Sequence, residues 1–174
     1  MNQDIQQLLN DQALGSAVQH YTRDVIRVAA ETVQRLKPQN EGPSGMRESQ
    51  LRNVVNVAIG AQSVEEVAAF ILYQMGRSTN SRQWLYGQFG DQIVQDLMSG
   101  RVRKAAEAAR TMAEEMISTA QGGQPVADEI RQRLFEEAYM ALARQYLGYL
   151  NRLFYFADRT RRWDELAQMS MGGA

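Results

Sequence analysis

The 174-residue sequence predicts an all-α protein, a single bundle of about six helices with a long C-terminal helix. Apolar residues recur every three to four positions through most of the chain, which is the period of an amphipathic helix. We find no sustained alternation of β-branched and polar residues, the pattern that would indicate strands. Glycine and proline occur in a few short stretches, and these divide the chain into helical segments.

The N-terminal helix is predicted over residues 1–36, where Val18, Tyr21 and Val25 follow the helical period. Residues 37–46 contain two of the three prolines and are predicted to be a linker. These boundaries would separate the first helix from a central group of helices.

The central helices are predicted within residues 47–120. One ends at Gly60, and Ser63 with Glu66 forms a capping box that starts the next. A third runs from Trp84 to Leu97 and contains Gly87-Gln-Phe-Gly90, which we interpret as a point of close helix packing rather than a phosphate loop. A fourth, alanine-rich helix follows Gly100.

A second linker is predicted at residues 121–126, the C-terminal helix at 127–168 and a frayed tail at 169–174. In the C-terminal helix, residues at helical spacing predict a core seam: Tyr146, Tyr149, Leu150, Leu153 and Phe156. Phe154 and Tyr155 point to the side of this seam and are predicted to form a protein interface.

The composition restricts the class of protein. There are no cysteines, which excludes disulfides and thiolate metal sites and favours a reducing cytoplasm. The first residues do not have the pattern of a secretory signal, and no apolar run is long enough to span a membrane. The formal net charge of −1 argues against nonspecific capture of nucleic acid by the whole surface.

Residues able to perform catalysis are sparse. His20 is the only histidine, and its neighbours are uncharged. Paired carboxylates such as Glu65-Glu66 are adjacent in sequence, so on a helix they point about 100° apart and do not converge on one ligand. The sequence has neither a Walker A nor a dinucleotide-binding motif. We therefore expect no catalytic residues, no metal, no cofactor and no enzymatic activity.

Arginines are the remaining candidates for binding, and they make up 17 of the 19 basic residues. Their planar guanidinium groups bind phosphate through paired hydrogen bonds. Two flank the start of a central helix, two bracket the loop Ser78–Ser81, and two share a face of the last helix. The predicted nucleic-acid-binding residues are Arg47, Arg52, Arg77, Arg82, Arg152 and Arg159.

Three stretches resemble a known family when they are taken in order. They read LRNVVNVAIGAQSVEEVAAFILYQMGR (51–77), WLYGQFGDQIVQDL (84–97) and AYMALARQYLGYLNRLFYFAD (138–158). Together they are similar to the small helical subunit of type III CRISPR RNA-guided effector complexes.

The resemblance implies a non-catalytic subunit that stacks on copies of itself along the guide RNA paired with its target RNA. Such a subunit would contact backbone phosphates without reading sequence, and it would bind other subunits of the effector complex. Two alternatives remain open from the residues alone. One is a helical protein–protein adaptor or oligomerisation module, and the other is a membrane-surface helix, which is disfavoured because the arginines cluster past the apolar run.

Overall fold

A computed structural model describes residues 3–40, 45–77 and 81–171. These residues form nine α-helices and one short 3₁₀ helix. The elements are α1 (Gln3–Gln34), α2 (Lys37–Asn40), α3 (Glu48–Gly60), α4 (Val64–Gly76), α5 (Ser81–Leu85), the 3₁₀ helix (Tyr86–Gln88), α6 (Phe89–Met98), α7 (Arg101–Ala120), α8 (Asp128–Thr160) and α9 (Asp164–Met171). The described residues contain no strand, so the all-α prediction is confirmed, as is its long C-terminal helix.

Three long helices, α1, α7 and α8, pack against one another and form the centre of the bundle. Gln121, after α7, donates a 2.7 Å hydrogen bond to Gln6 near the start of α1. Arg133, near the start of α8, donates to Gln7 at 3.0 Å. The helices α1 and α8 therefore run in the same direction, and α7 runs against them.

Alanines make the close approach of α1 and α7 possible. Ala29 and Ala30 on α1 and Ala106, Ala109 and Ala113 on α7 are almost inaccessible to solvent. A small side chain lets two backbones approach while still removing apolar surface from water. The alanine-rich segment predicted after Gly100 is thus a central packing helix.

The helices α3 to α6 cover one side of this centre, where α3 packs on α8 and α4 packs on α3 and α6. The Ser63 hydroxyl accepts from the Glu66 amide at 3.4 Å, as the capping box predicts. The Glu66 carboxylate, however, reaches the amide of Gln62 at 3.5 Å. Only half of the predicted reciprocal cap therefore forms.

The helix predicted from Trp84 to Leu97 is broken in the structure. Gly87 and Gln88 have φ values of 57° and 56°, in the left-handed region that an α-helix does not use. The close packing expected of this motif occurs at Gly90, where an added Cβ would lie 2.7 Å from the Met75 sulfur. One glycine therefore permits a turn, and the other permits helix contact.

The predicted linker 37–46 also differs from expectation, because its first four residues form α2. Asn40 at the end of α2 is buried, and its side chain donates to the Met46 carbonyl at 3.0 Å and to Asp158 at 3.1 Å. Residues 41–44 of this linker lie outside the described residues. The described ends of the segment are held against the end of α8.

The C-terminal helix predicted at 127–168 is two helices. Arg161 has a φ of 60° and ends α8, and α9 then packs on α1. The ring centre of Trp163 lies 6.2 Å from that of Phe154, which is fully buried. Phe154 is therefore a core residue, and its predicted role in a protein interface is wrong. The frayed tail predicted at 169–174 is helical through Met171, and residues 172–174 lie outside the described residues.

Candidate nucleic-acid interface

A groove of about 400 Å³ lies between α3 and α8 and brings together three of the six predicted arginines. The residues that line it are Glu48, Arg52, Asn151, Arg152, Tyr155 and Arg159. Arg52 and Arg152 are a hundred positions apart in sequence and meet only because α3 packs on α8.

The packing of α3 explains why Arg52 faces the groove. Leu51, Val54 and Ala58 are buried on the face that α3 turns to the core, which leaves Arg52 on the outer face. Arg144 of α8 holds the other end of α3 by donating to the Ala58 carbonyl at 2.9 Å. This contact satisfies a carbonyl at a helix end, where a positive charge is also favoured.

On α8, the buried seam determines which residues face outward. Leu150, Phe154 and Ala157 are buried, whereas Arg152 and Arg159 are exposed. Seven residues separate these two arginines, so they lie on one face about 10 Å apart along the helix. Two guanidinium groups at this spacing can contact separate phosphates of one strand.

Aromatic rings support both arginines of α8. The guanidinium carbon of Arg159 lies 5.3 Å from the centre of the Tyr155 ring, and that of Arg152 lies 5.5 Å from the centre of the Tyr149 ring. A cation over a ring face is attracted by the ring quadrupole while its N–H groups remain available. Tyr155 itself is 44% exposed and forms part of the groove wall.

The groove is electropositive although the whole chain is not. Glu48, which forms an ion pair with Arg52, is the single carboxylate among the described residues that line it. Three guanidinium groups against one carboxylate give the lining a net charge of +2. A local excess of this kind attracts phosphate irrespective of the formal net charge of the chain.

The other three predicted arginines lie elsewhere. Arg47 precedes α3 and is exposed, but it does not line the groove. Arg77 follows α4 and stacks on Tyr73 at 5.5 Å, and Arg82 lies in α5. Residues 78–80 of the loop that these two bracket, and the side chain of Ser81, lie outside the described residues.

The neighbouring arginines at the end of α8 are engaged within the chain. Arg161 donates to the Asn40 carbonyl at 2.7 Å and to Asp158 at 3.2 Å. Arg162 forms an ion pair with Glu165. Of the arginines from 159 to 162, Arg159 is therefore the one that lines the groove and has no carboxylate partner among the described residues.

A larger cavity of about 530 Å³ lies between the start of α4, α7 and α8. Its one basic lining residue, Arg103, pairs with Glu107 at 3.2 Å and lies over the rings of Phe135 and Tyr139. Carboxylates of Glu65 and Glu136 also line it. This cavity is thus unsuited to phosphate, and the smaller groove is the better candidate.

Asp96, the most deeply buried acid in the described part of the chain, links four helices. It is 1% exposed and accepts hydrogen bonds from Thr32 (3.3 Å), Tyr146 (3.1 Å) and Arg101 (3.0 Å). Burial, reinforced by the Asp96 charge, raises the pKa of the Tyr146 hydroxyl well above its ordinary value. Every oxygen of Asp96 has a partner, so we interpret this cluster as structural.

The described residues give no further candidate for chemistry. His20 is exposed and makes an edge contact with Tyr21 at 4.9 Å. No group of three or more histidine, aspartate or glutamate side chains in this part of the chain is arranged to hold a metal ion. Within the same residues, every helix is too short or too polar to cross a lipid bilayer.

Two exposed apolar patches lie at opposite ends of α1. Ile5 and Leu8, on the first turns, are 56% and 67% exposed. At the other end, Arg35 donates to the Gly87 carbonyl at 3.2 Å, which holds the 3₁₀ helix after α5 against the end of α1. Four large side chains are exposed on the packed pair of α4 and α5, here called the hairpin, and on the 3₁₀ helix that continues it: Leu72, Tyr73, Leu85 and Tyr86. We name these the α1 patch and the hairpin patch.

Opposite charges accompany the two patches. Residues 3–22 contain two aspartates and no arginine or lysine, whereas residues 67–90 contain Arg77 and Arg82 and no carboxylate. From Leu8 to Arg35 the helix rises about 40 Å, so the patches cannot contact each other within one molecule. The two segments thus differ in the sign of their own charges, although Arg133 of α8 also lies beside the α1 patch, where it donates to Gln7.

Sequence reasoning did not predict three of the residues that line the groove: Glu48, Asn151 and Tyr155, the last of which was predicted to form a protein interface. The i,i+4 spacing of Glu48 and Arg52 is a local signal for their ion pair. No local pattern predicts that Asn151 lines the groove, because this depends on the packing of α3 on α8.

Comparisons with known proteins add no identification: no protein family, no curated protein and no solved structure matches the chain.

Proposed function

We propose that this protein is the non-catalytic small subunit of a type III CRISPR effector complex, in which it binds the phosphate backbone of RNA and stacks on copies of itself. The observation that carries the proposal is the convergence of Arg52, Arg152 and Arg159 on one groove. Phosphate contacts position a protein on a strand without reading its sequence. The proposed complex is cytoplasmic, and its partners are guide RNA, target RNA, further copies and other effector subunits.

The salt dependence of RNA binding tests whether the groove binds phosphate. Fluorescence anisotropy with labelled RNA should show binding that weakens as salt rises, equally for RNAs of unrelated sequence. Changing the three groove arginines to glutamine should weaken binding and lower the log–log salt slope by about 2 to 3, since each lost phosphate contact lowers it by about 0.7 to 0.9.

A matched control is a triple variant with Arg103, Arg110 and Arg131 changed to glutamine. These arginines form ion pairs away from the groove. This variant should keep the wild-type salt slope. If the groove variant also keeps it, the groove is not the RNA site and the proposed binding surface is wrong.

The α1 patch and the hairpin patch support stacking. A contact between different surfaces of identical chains is heterologous, and it builds an open filament when the rotation does not close a ring. Exposed leucine and tyrosine would then be buried between copies, with the aspartates near one patch facing the arginines near the other. The same patches also suit the alternative of a protein–protein adaptor.

Blocking one end at a time tests this contact. Leu8→Asp and Leu72→Asp each remove one patch, so each variant alone should be monomeric. Their mixture retains one good contact and should form dimers and nothing larger, as measured by sedimentation velocity. Ile59→Asp, at an exposed residue outside both patches, should assemble as the wild type does. Dimers of either variant alone would contradict a head-to-tail contact.

Purification from the native host separates the two functions. Guide RNA and effector subunits should co-purify with the wild type under our proposal. Recovery of proteins without RNA would favour the adaptor instead.

A further inference from the structure

One aromatic ring lies among the arginines of the groove. Tyr155 is 44% exposed, and the guanidinium carbon of Arg159 lies 5.3 Å from the centre of its ring. The buried neighbours Phe154 and Ala157 fix α8 at this point, so the ring projects from a helix that is held by the core. An exposed tyrosine offers a large, flat apolar surface, and phosphate makes no use of such a surface. The binding of phosphate alone therefore leaves this ring without a role.

The surroundings of Tyr155 do not favour a protein interface. The other described residues that line the groove are three arginines, one glutamate and one asparagine, so none of them is aliphatic. The buried core of a protein interface is mainly apolar. The exposed Tyr73, by contrast, lies next to the exposed Leu72 in the hairpin patch. An exposed ring among cations, without an aliphatic neighbour in the lining, suits a ligand that is both flat and anionic.

An unpaired nucleotide combines these two properties. Its phosphate is anionic, and its base is a flat ring that stacks on aromatic side chains and on guanidinium planes. In a duplex, each base is stacked between its neighbours and does not present a face to a protein. The pair of Tyr155 and Arg159 provides a stacking surface, and the remaining arginines of the groove lie beside it for the phosphates.

We propose that the groove binds an unpaired nucleotide of RNA, whose base stacks on the pair of Tyr155 and Arg159 while the groove arginines bind the flanking phosphates. This inference rests on the proposed function of the groove. It adds the class of substrate, which is a strand with an unpaired base. Stacking tolerates every base, because every base has an aromatic face. The site therefore binds RNA without reading its sequence.

Two single-stranded probes test the inference on the full chain by fluorescence anisotropy. Both are about 10 nucleotides long, which is within the range of single-strand sites. One is RNA of mixed C and U, and the other is abasic, with the same ribose–phosphate backbone and hydrogen in place of every base. Because the probes carry the same phosphates, the ratio of their affinities measures what the bases contribute. Wild-type protein should bind the intact probe at least about fivefold more tightly, which is the lower end of the contribution of one stacked base.

Tyr155→Ala should lower this ratio to less than about twofold, because the intact probe loses the ring on which its base stacks. Loss of the ring beneath Arg159 affects the binding of both probes and cancels in the ratio. Tyr155→Trp keeps an aromatic ring and should keep the wild-type ratio.

Tyr73→Ala is the matched control. Tyr73 is also exposed, and the guanidinium carbon of Arg77 lies 5.5 Å from the centre of its ring, outside the groove. This variant should keep the wild-type ratio. Circular dichroism confirms that each variant is folded.

The failures of the two proposals are distinguishable. Equal wild-type affinity for the two probes, or an unchanged ratio in Tyr155→Ala, would overturn base stacking and leave phosphate binding intact. If that variant keeps the ratio and loses self-association in sedimentation velocity, the ring belongs to a protein interface instead. Binding to neither probe, or binding that is indifferent to the three groove arginines, would overturn both proposals.

Discussion

Replacing Asp96 by alanine should destabilise the fold by about 2–4 kcal/mol. The carboxylate is 1% exposed and joins α1, α7 and α8 to its own helix α6 through Thr32, Arg101 and Tyr146. Alanine removes all of these acceptors at once. The Tyr146 hydroxyl, fully buried, keeps only the Thr32 oxygen at 3.4 Å.

The magnitude follows from burial. Breaking a fully buried ion pair costs about 3–5 kcal/mol, because one charge is left without its partner. The Arg101 side chain, however, is 39% exposed and also pairs with Glu31, so water and Glu31 recover much of that cost. Weakening the buried Tyr146 hydrogen bond adds about 1–2 kcal/mol.

Urea denaturation followed by far-ultraviolet circular dichroism measures the change. Asp91→Ala, at an exposed aspartate of the same helix, is the matched control and should change stability by about 0.5 kcal/mol. A loss below about 1 kcal/mol in Asp96→Ala would refute the reasoning. It would mean that the cluster contributes no more than an exposed charge.

Four further substitutions test the packing of the helices and the titration of the core. Above a pH of about 10 the unfolded state loses the Tyr146 proton, whereas the folded state keeps it because burial raises the pKa of this hydroxyl. The free energy of unfolding therefore falls above this pH, by up to about 1.4 kcal/mol per pH unit. Tyr146→Phe should reduce this alkaline loss of stability, as measured by urea denaturation at several pH values. Gly90→Ala should lower the free energy of unfolding by about 1–3 kcal/mol, because the added Cβ meets the Met75 side chain. Gly148→Ala in α8, where the added Cβ meets open space, should raise it by about 0.5–1 kcal/mol in the same assay. Phe154→Ala should cost about 3–5 kcal/mol, as expected of a core ring and not of an interface residue.

The helices were predictable because their signals are local. The capping serine Ser63 and the buried period of α8 act over one or two turns, where sequence distance and spatial distance agree. The points at which helices are interrupted or end were harder to predict. Neither Gln88 nor Arg161 is a typical left-handed residue, and both adopt that conformation in this structure.

Phe154 shows how a periodic pattern misleads in a long helix. Of the predicted seam, Tyr146 and Leu150 are buried, whereas Tyr149, Leu153 and Phe156 are only half-buried. Phe154 and Ala157, which the predicted seam left out, are fully buried. Because the chain turns back on the bundle after α8, Trp163, in the turn before α9, covers a face of α8 that the pattern of α8 alone assigns to the side. A contact made by another element cannot be read from the period of one helix.

The candidate site, too, was predictable only where its residues lie on one helix. The shared face of Arg152 and Arg159 follows from their spacing on one helix. The addition of Arg52 depends on tertiary packing, as does the separation of Arg77 and Arg82 from the groove. Two of these six arginines therefore formed a predictable unit, and the third member of the groove required the fold.

The groove and the two patches share no residue, so RNA binding and stacking are compatible in one molecule. Stacked copies would present their grooves in series along one strand, and each bound copy would raise the effective concentration of the next groove near that strand. The affinity per protein should therefore increase with RNA length in the wild type. In Leu72→Asp it should be independent of length while the affinity for an RNA that holds one copy is unchanged. Anisotropy titrations over a series of RNA lengths measure both quantities. If Leu72→Asp shows the same length dependence as the wild type, then the hairpin patch does not align neighbouring grooves, whatever other contact it makes.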